Sequence, residues 1–303
     1  MAWTAWEKVA GFDFTETLYD KKYHVEMGGG LARITMNRPE RMNPLTAKQQ
    51  AEMQVCFADA SEDPMIGVVV VTGAGDRAFC VGGDVGGYLK DAEEAASQAK
   101  GGMVEGEERQ RREGGAQDEG MLSCRKPVIA RVNGYCIGHG NHLAYRCDFT
   151  IAAEHAIFGQ NGPRVSSTGG GNYWVSYLTQ VVGAKRAREL WMLCRRYTAQ
   201  EALAMGLVNA VVPMDRLDEE VDKWCEEIFQ ASPTCIEVIK ATFDSLIYQE
   251  AQQAGPGRLV SYSNVEFQKT PEAREGPAAF LEKRPANFWK IRKAELEARG
   301  KRR

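Results

Sequence analysis

Twice in this chain a strand-like apolar run leads into a glycine-rich break. IGVVVVT (66–72) is followed by a turn region ending in Phe79-Cys80-Val81-Gly82-Gly83-Asp84, and PVIARVN (127–133) runs into Gly134-Tyr135-Cys136-Ile137-Gly138-His139-Gly140. A β-branched run without polar alternation suits a strand covered on both faces. A break between strand and helix exposes backbone N–H groups, and the helix dipole adds positive potential there. Two such donors aimed at one point form an oxyanion hole. One break alone says little, because many tight turns need glycine.

The remaining pattern supplies the frame. YHVEM-GGG-LARITMN reads as a hairpin, and Met53, Phe57 and Ala60 lie near helical spacing within 46–60. PVIARVNGYCI reads as one strand, GHGNHLAYRCD as a helix start, and FTIAA as a third buried strand. Residues 175–193 and 199–205 read as helices, with Thr198 a plausible N-cap and Gly206 a C-cap before LVNAVVP. Helices are also expected at 217–230 and 234–251, and from Pro277 to Arg303. Strands alternating with helices give an α/β core, and the late helices form an appended module. The expected division is an N-terminal extension (1–22), a core (23–215) and a C-terminal helical module (216–303). Residues 85–123 are charged, glycine-paired and poor in large apolar side chains, so they read as a mobile surface excursion.

Composition excludes several classes. With 303 residues, 44% hydrophobic and 26% charged, the chain needs no metal or disulfide to build a core. A net charge of −3 lacks the basic surplus usual in nucleic-acid proteins. No apolar run approaches the roughly 20 residues of a membrane span, and the N-terminus does not read as a secretory signal. The eight cysteines are scattered and form no CxxC, which suits reduced thiols in a cytoplasmic protein. Walker, GxGxxG, GxSxG and HExxH motifs are absent. A zinc site would have to use His139, His142 and Cys136 or Cys147. No third ligand stands at a recognised spacing, so no metal is expected.

The segments ITMNRPERMNPLT, VVVVTGAGDRAFCVGGD, KPVIARVNGYCIGHGNHLAYRCDFTIAAEHAIFGQNGP and YTAQEALAMGLVNAVVP together resemble the crotonase (enoyl-CoA hydratase/isomerase) superfamily, in order, over roughly residues 23–290. FGQNGPRVSS, GAKRARELWMLCRRY and TPEAREGPAAFLEKRPANF look closest to two branches. These are 1,4-dihydroxy-2-naphthoyl-CoA synthases and the hydrolases that open alicyclic β-oxoacyl-CoA rings; RMNPLTA looks more like the latter. The resemblance implies an α/β spiral of ββα turns with a C-terminal helical trimerisation module. It implies homotrimers or homohexamers, a CoA thioester substrate and no separate cofactor. The thioester oxygen is then held by the backbone N–H groups of Gly83 and His139. For CoA, it points to Arg41 and Leu45 on the early loop and to Phe280 and Lys283 in the last helices.

The departures from the family are informative. The two hydratase glutamates fall at His142 and Gly162, so the two-glutamate hydration mechanism is disfavoured. The aspartate of the synthase branch falls at Gly169 and its late tyrosine near Gln268, while Ser167 keeps the branch serine. Proton chemistry then passes to His139 and His142, which share a helix face at i and i+3, histidine being a residue type suited to moving protons. Asp84, Tyr88 and Ser167 are further catalytic candidates, although Asp84 also suits a turn cap and Tyr88 a plain surface position. Arg164 can orient a carboxyl group or pair with an acid. Asn161 and Asn172 can position water or simply make turns. Trp3 and Trp6 are expected to pack on the body or on a neighbouring subunit. The expected reaction is hydrolytic C–C cleavage of a cyclic β-oxoacyl-CoA. Ring closure, hydration or isomerisation of an unusual enoyl-CoA, and a non-catalytic CoA- or RNA-binding role are the alternatives.

Overall fold

The computed structural model describes residues 2–86, 119–166, 173–253, 270–288, 290, 291, 294, 297 and 298. Tyr88, Ser167, Gly169 and Asn172 lie outside these residues, as does most of the charged 85–123 segment. Seven strands form one mixed sheet in the order β1-β2-β3-β4-β6-β8-β11. They are β1 (Glu7–Lys8), β2 (Thr17–Tyr23), β3 (Gly30–Met36), β4 (Ile66–Gly73), β6 (Val128–Val132), β8 (Phe149–Ala153) and β11 (Ala210–Val212). The first three pair antiparallel and the others parallel. A second sheet, ordered β10-β9-β7-β5, is built from β5 (Ala78–Cys80), β7 (Tyr135–Ile137), β9 (Ile157–Gly159) and β10 (Arg196–Thr198). The helices among the described residues include α1 (Ala47–Glu62), α2 (Glu119–Leu122), α3 (His139–Arg146), α4 (Tyr173–Leu193), α5 (Ala199–Ala204), α6 (Leu217–Phe229), α7 (Pro233–Gln253) and α8 (Pro271–Leu281).

The central strands are apolar on both sides because both sides are covered. Leu31, Val68, Val70, Ile129 and Ile151 meet Leu217, Val221 and Cys225 of α6. Their neighbours Ala32, Ile34, Val69, Val71 and Ala130 join the larger core with Met53 and Phe57 of α1 and with Phe79 and Phe158 of the second sheet. That alternation is the period-2 geometry of a strand applied to two apolar layers. The fold is of the expected α/β class, with two mixed sheets and C-terminal helices.

Several boundaries differ from the sequence reading. The hairpin partner of β3 is TLYDKKY rather than YHVEM, so residues 7–23 already contribute two strands. PVIARVNGYCI splits into β6 and β7, which belong to different sheets. The bend is enforced at Gly134 (φ +158°), where a Cβ would lie 2.2 Å from the Arg77 carbonyl oxygen. Within the charged segment, residues 119–122 form α2, whose Met121 is buried in the core. The helical stretch expected from Pro277 starts earlier, at Pro271, and breaks after Leu281, and the described residues from 288 onward are helical again. Thr270 caps α8 by accepting the Ala273 N–H, and Lys283 at φ +54° follows its end. The true start carries the same proline signature one and a half turns earlier. Thr198 does cap α5, in a capping box with Glu201.

The N-terminal tryptophans pack on the chain's own body. Lys22 stands over both rings, 4.8 Å from the centroid of Trp3 and 4.7 Å from that of Trp6, and pairs with Asp222 at 2.6 Å. The indole N–H of Trp3 donates to Glu226 at 2.9 Å.

Seven of the eight cysteines are buried, and only Cys235 is exposed. Burial pushes the thiols of Cys56, Cys80 and Cys147 up to about 12 and that of Cys124 up to about 11. Titration of the native protein with a thiol-reactive disulfide near pH 8 is therefore expected to label one cysteine per chain quickly, with the rest labelled on unfolding. Two or more fast thiols contradict this burial pattern.

Candidate active site

The two glycine-rich breaks meet. A Cβ built on Gly82 would stand 3.5 Å from the His139 nitrogen, and one built on Gly138 would stand 3.6 Å from the Gly82 Cα. Both glycines have positive φ, +105° at Gly82 and +58° at Gly138, a region in which a side chain is strained. Gly140 is required by contact instead. A Cβ there would lie 2.2 Å from the Cys80 carbonyl oxygen. The start of α3 is thus pressed against the end of β5 with no room for a side chain.

The direction of each donor follows from the planarity of the peptide. In a trans peptide the C=O and the following N–H point in opposite directions. The Gly82 carbonyl accepts the Leu45 N–H at 2.8 Å, so the Gly83 N–H points away from Leu45. The Asp84 N–H donates to the Leu45 carbonyl at 3.0 Å, which completes a parallel bridge between Leu45 and Gly83. On the other side, the Gly138 carbonyl accepts the His142 N–H at 3.0 Å along the axis of α3. The His139 N–H therefore points out of the helix N-terminus, where the dipole is positive. Gly138 is itself held by its N–H to the Gly159 carbonyl at 2.9 Å.

The side chains of α3 bring an aromatic cluster to the same place. The ring centroids of His139 and His142 are 5.7 Å apart. His142 is 6% exposed, with Tyr145 at 5.5 Å and Trp191 of α4 edge-on at 5.1 Å. Leu45, His139 and Leu143 also line a small cavity with Met53, Phe57 and Met121. The buried indole N–H of Trp191 and both amide ends of Asn141 and Gln160 lack hydrogen-bond partners among the described residues. Buried polar atoms of this kind call for partners such as ordered water or a bound molecule. Sequence reasoning passed over Trp191 because ELWML reads simply as helix.

Asp84 is engaged structurally. Its carboxylate accepts the Gly86 N–H at 3.1 Å and faces the Arg38 guanidinium at 3.4 Å. Arg38, which the sequence reading did not select, also reaches the Pro44 carbonyl at 3.4 Å and so braces the loop carrying Leu45. Asn43 completes that brace. Fully buried at φ +55°, it donates to the carbonyls of Ala74 and Ala78 and accepts the Arg38 N–H. Leu45 is buried against Gly83, whereas Arg41 is exposed. Phe280 and Lys283 lie exposed at the end of α8. That helix is anchored where the Gly276 N–H donates to Ser166, the neighbour of Ser167. Arg164 donates to the Leu193 carbonyl and Asn161 accepts from Arg196, so both have structural partners. Among the described residues no three His, Cys, Asp or Glu side chains are grouped so as to hold a metal ion, and no helix is long and apolar enough to cross a membrane.

Comparison with known proteins supplies the class. The enoyl-CoA hydratase/isomerase family pattern matches residues 26–291. An enoyl-CoA hydratase from Bacillus anthracis is 30% identical, with 85% of this chain and 95% of that chain covered and a TM-score of 0.60. An enoyl-CoA hydratase/isomerase from Xanthobacter autotrophicus Py2 is 29% identical, with 89% and 92% covered and a TM-score of 0.67. A methylmalonyl-CoA decarboxylase in complex with 2-nitronate-propionyl-CoA shares the fold at 21% identity, with 85% and 94% covered and a TM-score of 0.68. The family match gives the class, that of crotonase-type acyl-CoA enzymes. The chain belongs to the crotonase (enoyl-CoA hydratase/isomerase) superfamily.

Gly140 offers a direct test of the close approach. Gly140→Ala must push α3 away from β5 and separate the two donors. The expected loss is about 100-fold in turnover, the scale for removing one oxyanion donor. The associated loss of stability is expected at about 1–3 kcal/mol, as for an overpacked core. Turnover and denaturant midpoint measured on one preparation check both figures. Unchanged turnover contradicts the geometry.

Proposed function

We propose that this protein hydrolyses a carbon–carbon bond in a cyclic β-oxoacyl-CoA, opening the ring by addition of water. The observation that carries the reading is the His139–His142 pair beside the closely apposed glycine turns that carry the Gly83 and His139 N–H groups, in a family whose usual carboxylate positions hold His142 and Gly162. Imidazole at His142 takes a proton from water, and the hydroxide attacks the ring ketone carbon. The bond from that carbon to the α-carbon then breaks. The ketone carbon becomes a carboxylic acid and the electron pair passes into the thioester as an enolate. The N–H groups of Gly83 and His139 stabilise the enolate oxygen. The imidazolium of His142 returns its proton to the α-carbon, so the net change is one water consumed.

His139 contributes its backbone and shapes the pocket with its ring. Trp191 and Tyr145 give the acyl end an aromatic wall that suits a flat or alicyclic ring. Leu45 and Arg41 are assigned to the CoA moiety, with Phe280 and Lys283 contributed across a homotrimer or homohexamer. A lysine suits a CoA phosphate as a point charge. Asp84 acts in this scheme by holding its turn, and Tyr88 and Ser167 remain candidates for contact with substrate. No separate cofactor takes part in these steps.

The reading predicts that 2-oxocyclohexane-1-carbonyl-CoA or a related cyclic ester gains the mass of one water and yields an open-chain dicarboxylic product. With H2(18)O the new carboxyl group carries the label. A hydrated but unbroken ring, or ring closure of an open-chain ester, would replace this reading with one of the alternatives. His142→Ala is expected to slow the chemical step by roughly 100- to 10,000-fold, with CoA-ester affinity nearly unchanged. His139→Gly keeps the N–H and is expected to be milder. Wild-type turnover in both variants rejects the histidine mechanism. Light scattering at micromolar concentration is expected to give a trimer or hexamer, and a monomer rejects the shared CoA site.

A further inference from the structure

We propose that Cys80 and Cys136 are positioning residues of the oxyanion hole, each thiol holding one of the two turns that carry its donors. The inference rests on the assignment of Gly83 and His139 as those donors. Cys80 and Cys136 are register partners on the parallel strands β5 and β7, and both are fully buried. The Cys80 sulfur accepts the Gly82 N–H at 3.4 Å and lies 3.7 Å from the Gly82 carbonyl oxygen. The Cys136 thiol donates to the Gly140 carbonyl at 3.4 Å. The two residues meet at the start of α3, where a Cβ on Gly140 would lie 2.7 Å from the Cys80 Cβ.

The consequence for the donors is mechanical. Gly82 is gripped at its N–H by the Cys80 sulfur and at its carbonyl by the Leu45 N–H. Those two bonds restrain the rotations about its Cα, and with them the direction of the Gly83 N–H. Losing the sulfur leaves the Gly82–Gly83 peptide held from the Leu45 side only, by the Leu45 N–H to the Gly82 carbonyl and the Asp84 N–H to the Leu45 carbonyl, with the Gly82 N–H released. On the opposite side Cys136 ties the first turn of α3 to β7, which keeps His139 opposite Gly82. Burial holds the Cys80 thiol up at about 12 and raises Cys136 well above its ordinary value, so both remain S–H groups rather than thiolates at neutral pH. Neither thiol is called on as a nucleophile in the proposed reaction.

Packing and positioning make opposite demands at residue 80. Valine fills the cysteine's space but offers no hydrogen bond. Serine keeps the hydrogen bond but leaves a small void. The test is difference infrared spectroscopy of benzoyl-CoA labelled with 13C at the thioester carbonyl, bound to the wild type, Cys80→Val and Cys80→Ser. The carbonyl band is expected to shift to lower frequency on the wild type. Cys80→Val is expected to retain less than about half of that shift and Cys80→Ser most of it, because the band reports how well the donors are aimed. Cys136→Val and Cys136→Ser are expected to follow the same order. A full shift in the valine variants, or a larger loss in the serine than in the valine variants, overturns the proposal and leaves the thiols as packing. No shift with bound ester on the wild type overturns the oxyanion assignment itself, and this proposal with it.

Discussion

Two backbone carbonyls, each already bonded on its own side, set the directions of the two N–H groups proposed as oxyanion donors. The Gly82 carbonyl is taken by the Leu45 N–H and the Gly138 carbonyl by the His142 N–H. Because peptides are planar and trans, the N–H groups on the far sides of those two units have directions set by the fold. Few side-chain rotamers are involved and little reorganisation is needed when charge develops. That preorganisation is what makes such donors effective in an enclosed site. Other local features follow from the need to bring these two peptide units together. Glycine is required at 82 and 138 by backbone conformation and at 140 by contact.

The two sheets exist in this arrangement because the chain changes layer at each break. β4 and β6 lie side by side in the large sheet, and the segments that follow them, β5 and β7, lie side by side in the small one. Asn43 and Asn133 stabilise these crossings by donating to carbonyls that the departing strands leave behind, at Ala74 and Ala78 and at Gly73 and Gly75 respectively. A buried amide bonded at several points is costly to replace. The two glycine turns therefore stand on a rigid support.

Much of this was legible in the sequence, and the reason is geometric. β-branched runs with glycine at their ends have few structural interpretations, so the buried strands, α1, α3 and the capped α5 could be read directly, whereas Gly83 and His139 came only from the family resemblance. Bends and partners were harder. PVIARVNGYCI is continuous in hydrophobicity, and only the carbonyl crowding at Gly134 reveals that it divides between sheets. The strand TLYDKKY is masked by its charges, because Lys21 and Lys22 are neutralised by Asp59, Asp63 and Asp222, distant in sequence. Arg38 and Asn43 gave no separate signal within NRPERMN, since their roles depend on carbonyls more than thirty residues away or on Asp84. Trp191 reads as an ordinary core residue until α4 is seen to place it against His142.

The central claim is that one thioester oxygen is held by both donors. A crystal structure of the protein with a bound acyl-CoA tests it most directly. The account predicts the thioester oxygen about 2.7–3.1 Å from the backbone nitrogens of both Gly83 and His139, with the acyl group directed toward His142 and Trp191. A thioester oxygen bound at only one of these nitrogens, or turned away from both, would contradict it.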